Sequence, residues 1–265
     1  MGALRVVEVK ARRALTASGI YGVDFSLNPY IGCQHACAYC YVPYTYRLQE
    51  PSAWGREVKV KVNISRLLRR EAASLGSARV LVSSVTDPYQ PLEARLCVTR
   101  ACLEALRGSE VEVVVLTKSD LFKRDLDVLK SMRRCELGVT VTTLKAPQWL
   151  EPGSPPPLRR VEALREASRE GLETFLFLGP LIPRLVDDEL AQLLDLAVKA
   201  GCSRVVVDKL RLRPRMEERL APALSHFMDP SLAFRLARRR TYYEELKGRV
   251  LELAEERGIE ADFCY

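Results

Sequence analysis

Residues 28–41 read NPYIGCQHACAYCY and place three cysteines, Cys33, Cys37 and Cys40, within eight positions. Gly32 lets the chain turn tightly just before the first of these cysteines. Residues 23–27, VDFSL, are predicted to form a short strand that leads directly into the cysteine loop. Because three thiolates on one short loop can converge on a common centre, the segment predicts a metal site that follows the first strand of the fold.

The rest of the chain alternates between short apolar runs and longer stretches with helical spacing. Further strands are predicted at residues 79–83, 111–116, 137–141, 174–178 and 204–207, and helices at residues 92–106, 121–132, 158–168, 190–199 and 232–256. Strands that alternate with helices form right-handed βαβ units, so we expect an α/β fold with a parallel sheet. Six such units favour a partial (β/α)6 barrel with extra C-terminal helices. Residues 57–64 alternate in polarity and predict either an edge strand or an extended connector.

Composition limits the classes of protein to consider. The chain has 265 residues, of which 48% are hydrophobic, and this share is too high for a disordered protein. No apolar run approaches the roughly 20 residues needed to span a bilayer, and the first residues lack the apolar core of a signal peptide. We therefore expect a cytoplasmic protein with no membrane partner. Only two Asn and two His occur among many Arg and Glu, a bias that is typical of thermophilic proteins.

Two kinds of metal site agree with the cysteine loop. Three thiolates on a [4Fe–4S] cluster would leave one iron free to bind a small chelating molecule, and Tyr39 would cover one side of it. Alternatively, Cys33, His35, Cys37 and Cys40 would form a Cys3His zinc site. Structural zinc sites usually pair two separated knuckles, and the chain has no second Cys-x2-Cys, so the cluster is favoured. Four other cysteines, which stand among apolar neighbours, are interpreted as buried hydrophobic residues: Cys97, Cys102, Cys135 and Cys202.

The cysteine loop resembles that of the radical S-adenosylmethionine (SAM) superfamily, because the spacing, the aromatic residue before the last cysteine and the position after the first strand agree together. More narrowly, the chain resembles the spore-photoproduct-lyase-like branch of that superfamily. The residues that carry this resemblance are residues 28–41, 84–93, 99–100, 116–119, 124–125, 151–154 and 159–160. The resemblance covers about residues 20–215 and implies one partial-barrel domain over residues 1–265, with a C-terminal helical extension at about residues 216–265.

The resemblance implies two cofactors, a [4Fe–4S] cluster held by Cys33, Cys37 and Cys40, and SAM bound to the fourth iron. Together with an external electron donor they would produce a 5′-deoxyadenosyl radical that takes a hydrogen atom from a substrate. His35 would then form a hydrogen bond to a cluster sulfur or to the backbone rather than act as a ligand.

The resemblance also implies contacts to SAM from the carboxyl ends of the strands. Residues at the end of the second strand would hold the amino group: Ser83, Ser84, Thr86 and Asp87. Lys118 would pair with the carboxylate, and a hydroxyl of Thr140 or Thr142 would bind the ribose or the carboxylate. Simpler interpretations exist for each group, since Asp87 precedes a proline and would make a turn, Lys118 would be an exposed loop residue, and threonine suits strands.

The substrate is the least determined part of the function. Residues 204–249 hold 12 basic and 6 acidic residues, a net charge of +6 out of +7 for the chain. Within them, Arg238, Arg239 and Arg240 precede Tyr242 and Tyr243, a pattern that favours a nucleic-acid or phosphorylated substrate. The same arginines would otherwise form ion pairs along a helix face exposed to water.

Other functions are compatible with parts of the sequence. Residues 82–86 lack the cysteine that returns a hydrogen atom in spore photoproduct lyase, so thymine-dimer repair is not implied, and a tyrosine or Cys264 would have to supply such an atom. A radical SAM enzyme for a peptide or small molecule agrees with the same motifs. An alternative is a zinc-knuckle protein that binds nucleic acid and has no SAM chemistry.

Overall fold

The computed structural model of the protein describes residues 4–46, 50–145 and 147–265. The strands are β1 (Arg5–Val9), β2 (Leu15–Ala17), β3 (Phe25–Leu27), β4 (Tyr30–Ile31), β5 (Glu57–Lys61), β6 (Arg79–Val82), β7 (Glu112–Thr117), β8 (Arg134–Thr140), β9 (Glu173–Leu181), β10 (Arg204–Lys209) and β11 (Glu260–Phe263). The helices are α1 (Val42–Thr45), α2 (Ile64–Ala72), α3 (Glu93–Leu96), α4 (Val98–Leu106), α5 (Leu126–Leu129), α6 (Pro147–Leu150), α7 (Pro157–Arg169), α8 (Leu190–Lys199), α9 (Glu217–Leu224), α10 (Pro230–Ala237) and α11 (Arg240–Arg257), with 3₁₀ turns at Pro51–Ala53 and Leu121–Asp125.

Six parallel strands, β3, β6, β7, β8, β9 and β10, form the centre of an eight-stranded sheet in the same order as in the sequence. Strand β11 extends the sheet in parallel beside β10, and β2 pairs antiparallel with β3 at the opposite edge. In an α/β barrel, each parallel strand is added to the sheet beside the strand that precedes it in the sequence, always on the same side. The two edge strands do not pair with each other within the described residues, so the barrel is open. The predicted partial (β/α)6 fold is confirmed.

Apolar side chains cover both faces of the central strands. On β7, Val113 and Val115 belong to the main core between the sheet and the helices, whereas Val114 belongs to a smaller cluster with Leu81 and Phe175 on the other face. A strand that is buried on both faces has a nearly continuous apolar sequence. The apolar runs therefore predicted the positions of these central strands.

The predicted helix at residues 92–106 is divided in the structure. Cys97 has φ +53° and separates α3 from α4. The carboxylate of Glu93 accepts hydrogen bonds from the backbone N–H groups of Thr99 (2.9 Å) and Arg100 (3.3 Å), in the first turn of α4. Because this acid satisfies free donors at a helix start, a second helix begins within one apolar pattern.

The first part of the stretch at residues 57–64 forms β5 (Glu57–Lys61), the middle strand of a separate three-stranded sheet with β1 and β4, and Ile64 already begins α2. The predicted helix at 232–256 is two helices, α10 and α11, and the sequence did not predict β11, which follows them. The C-terminal segment is therefore integrated into the fold, because α11 packs on α8 and β11 pairs with β10. Among the described residues, no helix is both long enough and apolar enough to cross a membrane.

Candidate metal and cofactor site

The carboxyl end of the parallel sheet gathers the polar residues singled out from the sequence. The cysteine loop follows β3, Thr86 and Asp87 follow β6, and Lys118 follows β7. Thr140 is the last residue of β8, and Thr142 lies just beyond it. In parallel α/β folds the carboxyl ends of the strands meet at one edge, where binding and catalytic residues lie. The structure therefore brings these residues to one edge of the sheet.

Contacts with two other segments hold the cysteine loop in place. The side-chain carbonyl of Gln90 accepts a hydrogen bond from the N–H of Gln34 at 2.9 Å, and that of Gln34 accepts one from the N–H of Leu92 at 2.6 Å. The N–H of Gly153 donates to the carbonyl of His35 at 3.1 Å. A Cβ atom at Gly153 would lie 2.1 Å from the carbonyl oxygen of Gln34, so only glycine permits this approach.

The three thiols of the loop are withdrawn from solvent and interact with one another. Cys33 and Cys37 are 8% and 7% exposed, and Cys40 is partly buried. Burial raises the pKa of all three thiols, to about 12 for Cys37. Negative charge on Cys37 contributes to the raised pKa of Cys33, and charge on Cys40 to that of Cys37. Because a bound cation deprotonates and stabilises such thiols, this donor set fits a metal centre.

A single zinc ion and a four-iron cluster require different numbers and arrangements of ligands. Zinc would need Cys33, His35, Cys37 and Cys40 around one ion, and within residues 4–46, 50–145 and 147–265 no three Cys, His, Asp or Glu side chains are grouped for one metal ion. His35 instead directs Nδ1 toward the carboxylate of Asp87, at 3.3 Å. A [4Fe–4S] cluster needs only the three thiols, each on a different iron, and leaves His35 to its contact with Asp87. The donor set therefore fits such a cluster.

Asp87 connects three segments at this edge. Its Oδ1 accepts hydrogen bonds from the N–H of Tyr89 (2.9 Å) and the hydroxyl of Thr117 (2.6 Å), and its Oδ2 accepts one from the N–H of Lys118 (2.7 Å). Burial alone would raise the pKa of Asp87, but His35 and these hydrogen bonds hold it well below its usual range. The carboxylate is thus ionised and braces the cysteine loop against β6 and β7, and a bound ligand would have to share its oxygens.

The hydroxyl groups near Asp87 differ in whether they form hydrogen bonds within the protein. Ser84 is occupied, since its hydroxyl accepts a hydrogen bond from Asn28 Nδ2 at 3.1 Å and its N–H donates to Asn28 Oδ1 at 3.0 Å. The hydroxyls of Ser83 and Thr86 are buried without a hydrogen-bond partner in the described part of the chain. Buried hydroxyls are normally paired, so these two groups fit the polar part of a ligand.

Lys118 brings an ammonium group to the same place. Its Nζ lies 5.7 Å from the centre of the Tyr39 ring and makes no hydrogen bond or ion pair with any described residue. Burial alone would lower the pKa of Lys118, but negative charge on Cys37, Glu151 and Asp87 raises it above the usual value. The group is therefore charged and has donors free for an anionic ligand such as a carboxylate.

Tyr39 is fixed by a buried polar network. Its hydroxyl donates to Oε1 of Glu151, and the hydroxyl of Thr142 lies 3.1 Å from that oxygen and 2.8 Å from the carbonyl of Gly179. Oε2 of Glu151 forms an ion pair with the fully buried Arg160 at 2.6 Å. Thr142 and Tyr39 thus use their hydroxyls within the protein, which leaves the ring of Tyr39 as the part that would face a cofactor.

Arg160 also holds the neighbouring strand. Its Nη1 donates to the carbonyl of Thr140 at 3.0 Å and its Nε to the carbonyl of Pro155 at 2.7 Å. Thr140 is buried at the end of β8, where its backbone belongs to this network. Sequence reasoning gave Glu151 and Arg160 no role, although both stand in the stretches that carry the family resemblance. A buried role for these two charged side chains could be found only from their contact across the fold.

The basic C-terminal segment does not present its tyrosines to solvent as an aromatic surface. Tyr243 is buried and its hydroxyl donates to the carbonyl of Leu181 at 3.1 Å, while the hydroxyl of Tyr242 donates to Asp187. The burial of Tyr243 removes its ring from any contact with a nucleic acid, whereas Tyr242 is partly buried and its hydroxyl joins α11 to the segment after β9. Two of the arginines are paired as well, Arg238 with Glu217 and Arg240 with Glu244.

Comparison with known proteins agrees with this geometry. The model of the Radical SAM superfamily matches residues 27–197, from the end of β3 to α8. The chain belongs to the Radical SAM superfamily. An uncharacterised protein of Methanocaldococcus jannaschii is 32% identical over 188 residues, which are 70% of this radical SAM chain and 71% of that protein. A radical SAM Nα-GlyT isomerase of Pseudomonas phage M6 is 26% identical over 224 residues, 79% of this chain but 45% of the phage protein.

Solved structures show the likeness of the fold as a whole. A variant of spore photoproduct lyase superposes with a TM-score of 0.77 at 14% identity, over 98% of this radical SAM chain and 82% of the lyase. Another variant of the lyase, with a TM-score of 0.74, contains AdoMet and a dinucleoside spore photoproduct. The likeness covers the C-terminal segment as well as the region matched by the family model.

Proposed function

We propose that this protein is a radical SAM enzyme in which Cys33, Cys37 and Cys40 hold a [4Fe–4S] cluster and SAM occupies the polar site beside it. The observation that carries the proposal is the position of three interacting thiols, two buried and one partly buried, near the ammonium of Lys118, which forms no hydrogen bond or ion pair with a described residue. When bound, the two cofactors supply reductive cleavage of SAM to a 5′-deoxyadenosyl radical that takes a hydrogen atom from the substrate.

The chain's own residues supply binding, orientation and exclusion of water. Lys118 pairs with the carboxylate of SAM, because it is the charged donor of the site with no partner of its own among the described residues. The hydroxyls of Ser83 and Thr86, buried and unpaired, accept from or donate to the amino-acid part of SAM. The ring of Tyr39, fixed through Glu151, shields one side of the cysteine loop from solvent.

Asp87, Thr140 and Thr142 act on the ligand indirectly, because they hold other residues of the site in position. Asp87 holds His35 and the start of the segment after β7, so it sets where Lys118 points. Thr142 positions Tyr39 through Glu151, and Thr140 anchors Arg160 through its carbonyl. We therefore propose that these three residues position the site, with Asp87 sharing an oxygen with the amino group of SAM.

The substrate that we propose is a nucleic acid or nucleotide. Support comes from the dinucleoside bound by a lyase of the same fold and from exposed arginines near the sheet edge, of which Arg213 acts electrostatically on Tyr41 beside the cysteine loop. Phosphate groups are the ligands that arginine recognises best.

The experiment that tests the cofactor assignment is anaerobic purification and reconstitution, followed by iron and sulfide analysis. We expect about four iron and four sulfide per chain and SAM-dependent formation of 5′-deoxyadenosine after reduction. Cys33→Ala, Cys37→Ala and Cys40→Ala should each lose the cluster, while Cys202→Ala, which changes a partly buried thiol outside the loop, should keep it. Stoichiometric zinc without iron, or a complete cluster in any one of the three loop variants, would overturn the assignment.

A further inference from the structure

Arg219 reaches the cysteine loop from α9, a helix that lies outside the segment matched by the family model. Its Nη2 donates hydrogen bonds to the backbone carbonyls of Ala36 (3.2 Å) and Cys37 (3.3 Å). The guanidinium thus holds the loop at the turn between the first two cysteines, across 182 positions of the chain. No pattern in the sequence indicates this contact.

The turn that Arg219 holds is one that the backbone does not favour. Ala36 has φ +51°, in the left-handed region that residues other than glycine rarely adopt. A charged donor on its carbonyl, and on the next one, stabilises this conformation against relaxation. Because a planar guanidinium presents several donors in a fixed arrangement, arginine suits a contact with two adjacent carbonyls.

No acidic side chain of the described residues forms an ion pair with Arg219, so its charge is not neutralised in that way. The two acidic residues on the same helix are engaged elsewhere, Glu217 with Arg238 and Glu218 with Arg215. Arg219 itself forms no ion pair in residues 4–46, 50–145 and 147–265.

The helix that carries Arg219 is packed against the loop over an apolar surface. Met216, Leu220 and Leu224 of this region share one buried cluster with Cys37 and Tyr39. The guanidinium is therefore anchored at both ends, by the core on the helix side and by the carbonyls on the loop side. Arg219 is partly buried, and a fixed positive charge that is partly shielded from water acts more strongly than one on a mobile surface side chain.

We infer that Arg219 is a positioning residue that holds the cysteine loop and, by its unneutralised charge, raises the reduction potential of the cluster bound there. The inference rests on the proposed function, since it requires a [4Fe–4S] cluster on Cys33, Cys37 and Cys40. Nearby charge and hydrogen bonding are the means by which a protein sets the potential of such a cluster. Reduction adds one negative charge, which a neighbouring guanidinium stabilises.

The test is a redox titration of the reconstituted protein, followed by electron paramagnetic resonance. We expect Arg219→Gln, which removes the charge, to lower the midpoint potential so that the ratio of reduced to oxidised cluster falls about tenfold at a given donor potential, equivalent to about 59 mV for one electron. Arg249→Gln is the matched control, since it removes the same charge from an exposed position on α11. The control should keep the wild-type potential.

The possible results separate the inference from the function on which it rests. A wild-type protein without iron and sulfide overturns the proposed function, whereas a wild-type cluster with an unchanged potential in Arg219→Gln overturns only the role of Arg219. An equal shift in Arg249→Gln also overturns it, because a general charge effect would then explain the result. If Arg219→Gln retains no cluster, Arg219→Lys decides: a potential near that of wild type supports the inference, and a tenfold shift contradicts it.

Discussion

His35 Nδ1 lies 3.3 Å from Oδ2 of Asp87, and both side chains are buried. The pair joins the cysteine loop to the end of β6, and the N–H of Lys118 brings the end of β7 to the same oxygen. One carboxylate thus fixes the relative position of the thiols and of the ammonium group that we assign to SAM. Several properties of the protein should depend on this arrangement.

Asp87→Asn should destabilise the protein and loosen the cysteine loop. The NH2 group of Asn cannot accept a hydrogen bond, so at least one of two donors, the N–H of Lys118 or the hydroxyl of Thr117, loses its acceptor. A buried donor left unpaired costs about 1–3 kcal/mol. Urea unfolding of the protein without iron would measure the change. Asp127→Asn, an exposed carboxylate paired with Arg100, is the control and should cost much less.

The pH dependence of Asp87 follows from its lowered pKa. A group whose pKa is lower in the folded protein contributes stability above its unfolded pKa, and this contribution is lost as the pH falls through the folded value. Because the pKa of Asp87 is held well below its usual range, the difference in unfolding free energy between wild type and Asp87→Asn should be constant from pH 7 to pH 5. A difference that disappears between these values would show that Asp87 is not held in this way.

Lys118→Met should weaken SAM binding about tenfold or more. A hydrogen bond to a charged group contributes about 1.5–3 kcal/mol, and Lys118 forms no hydrogen bond or ion pair with any described residue that would compete with SAM. Titration calorimetry on the reconstituted protein would measure the affinity, with iron content as a check on the cluster. Lys123→Met, which removes an exposed lysine paired with Glu166, should bind SAM like wild type. Equal affinities for the two variants would contradict the assignment of Lys118.

Glu151→Gln should be among the most destabilising substitutions near the site. It leaves the guanidinium of Arg160 buried without its ionic partner, at a cost of about 3–5 kcal/mol, and it replaces the charged acceptor of the Tyr39 hydroxyl by a weaker neutral one. Thermal unfolding would show the change, with Glu162→Gln as the control, because Glu162 is exposed and paired with Arg165. If the two variants unfold at the same temperature, Glu151 does not hold the network together.

Gly153→Ala tests the close approach between the cysteine loop and the segment after α6. The new methyl group would lie 2.1 Å from the carbonyl oxygen of Gln34, so one of the two segments must move. We expect a lower unfolding temperature and a reduced iron content after reconstitution. Gly248→Ala is the matched control, since a Cβ there meets nothing within 4 Å and alanine favours the helix α11. Iron content equal to that of the control would mean that the loop tolerates displacement.

Local patterns in the sequence predicted the parallel strands because each is apolar on both faces and is bounded by turns. The helix at residues 190–199 was predicted with the bounds that α8 has, since its spacing is regular and Gly201 follows it. The division of the helix at 92–106 was not predictable from spacing, because it depends on the contact of one carboxylate with two N–H groups. β4 has only two residues, and β11 reads EADF, with two acidic side chains and no apolar run, so neither strand shows a pattern.

The candidate site was predictable to a similar degree. Spacing identified the three cysteines, and family resemblance identified Asp87 and Lys118. The contacts of Gln34 with Gln90 and of Glu151 with Arg160 join segments 56 or fewer positions apart, yet no periodicity marks them. Arg219 reaches the loop from outside every recognised motif. The environment of the thiols and of the buried charges depends on contacts between segments that lie apart in the sequence. Such contacts become visible only in the folded structure.

The last prediction concerns the nucleic-acid substrate. If phosphates bind near the sheet edge, affinity for single-stranded RNA or DNA should fall linearly with salt on logarithmic axes, with a slope of about −0.7 per phosphate contact. Arg213 is exposed and acts electrostatically on Tyr41 beside the cysteine loop, so Arg213→Ala should remove about one contact from that slope. Arg240→Ala, whose arginine already pairs with Glu244, should leave the slope unchanged. Filter binding at several salt concentrations would measure both. No binding of the wild type at low salt would favour a peptide or an uncharged small molecule as the substrate.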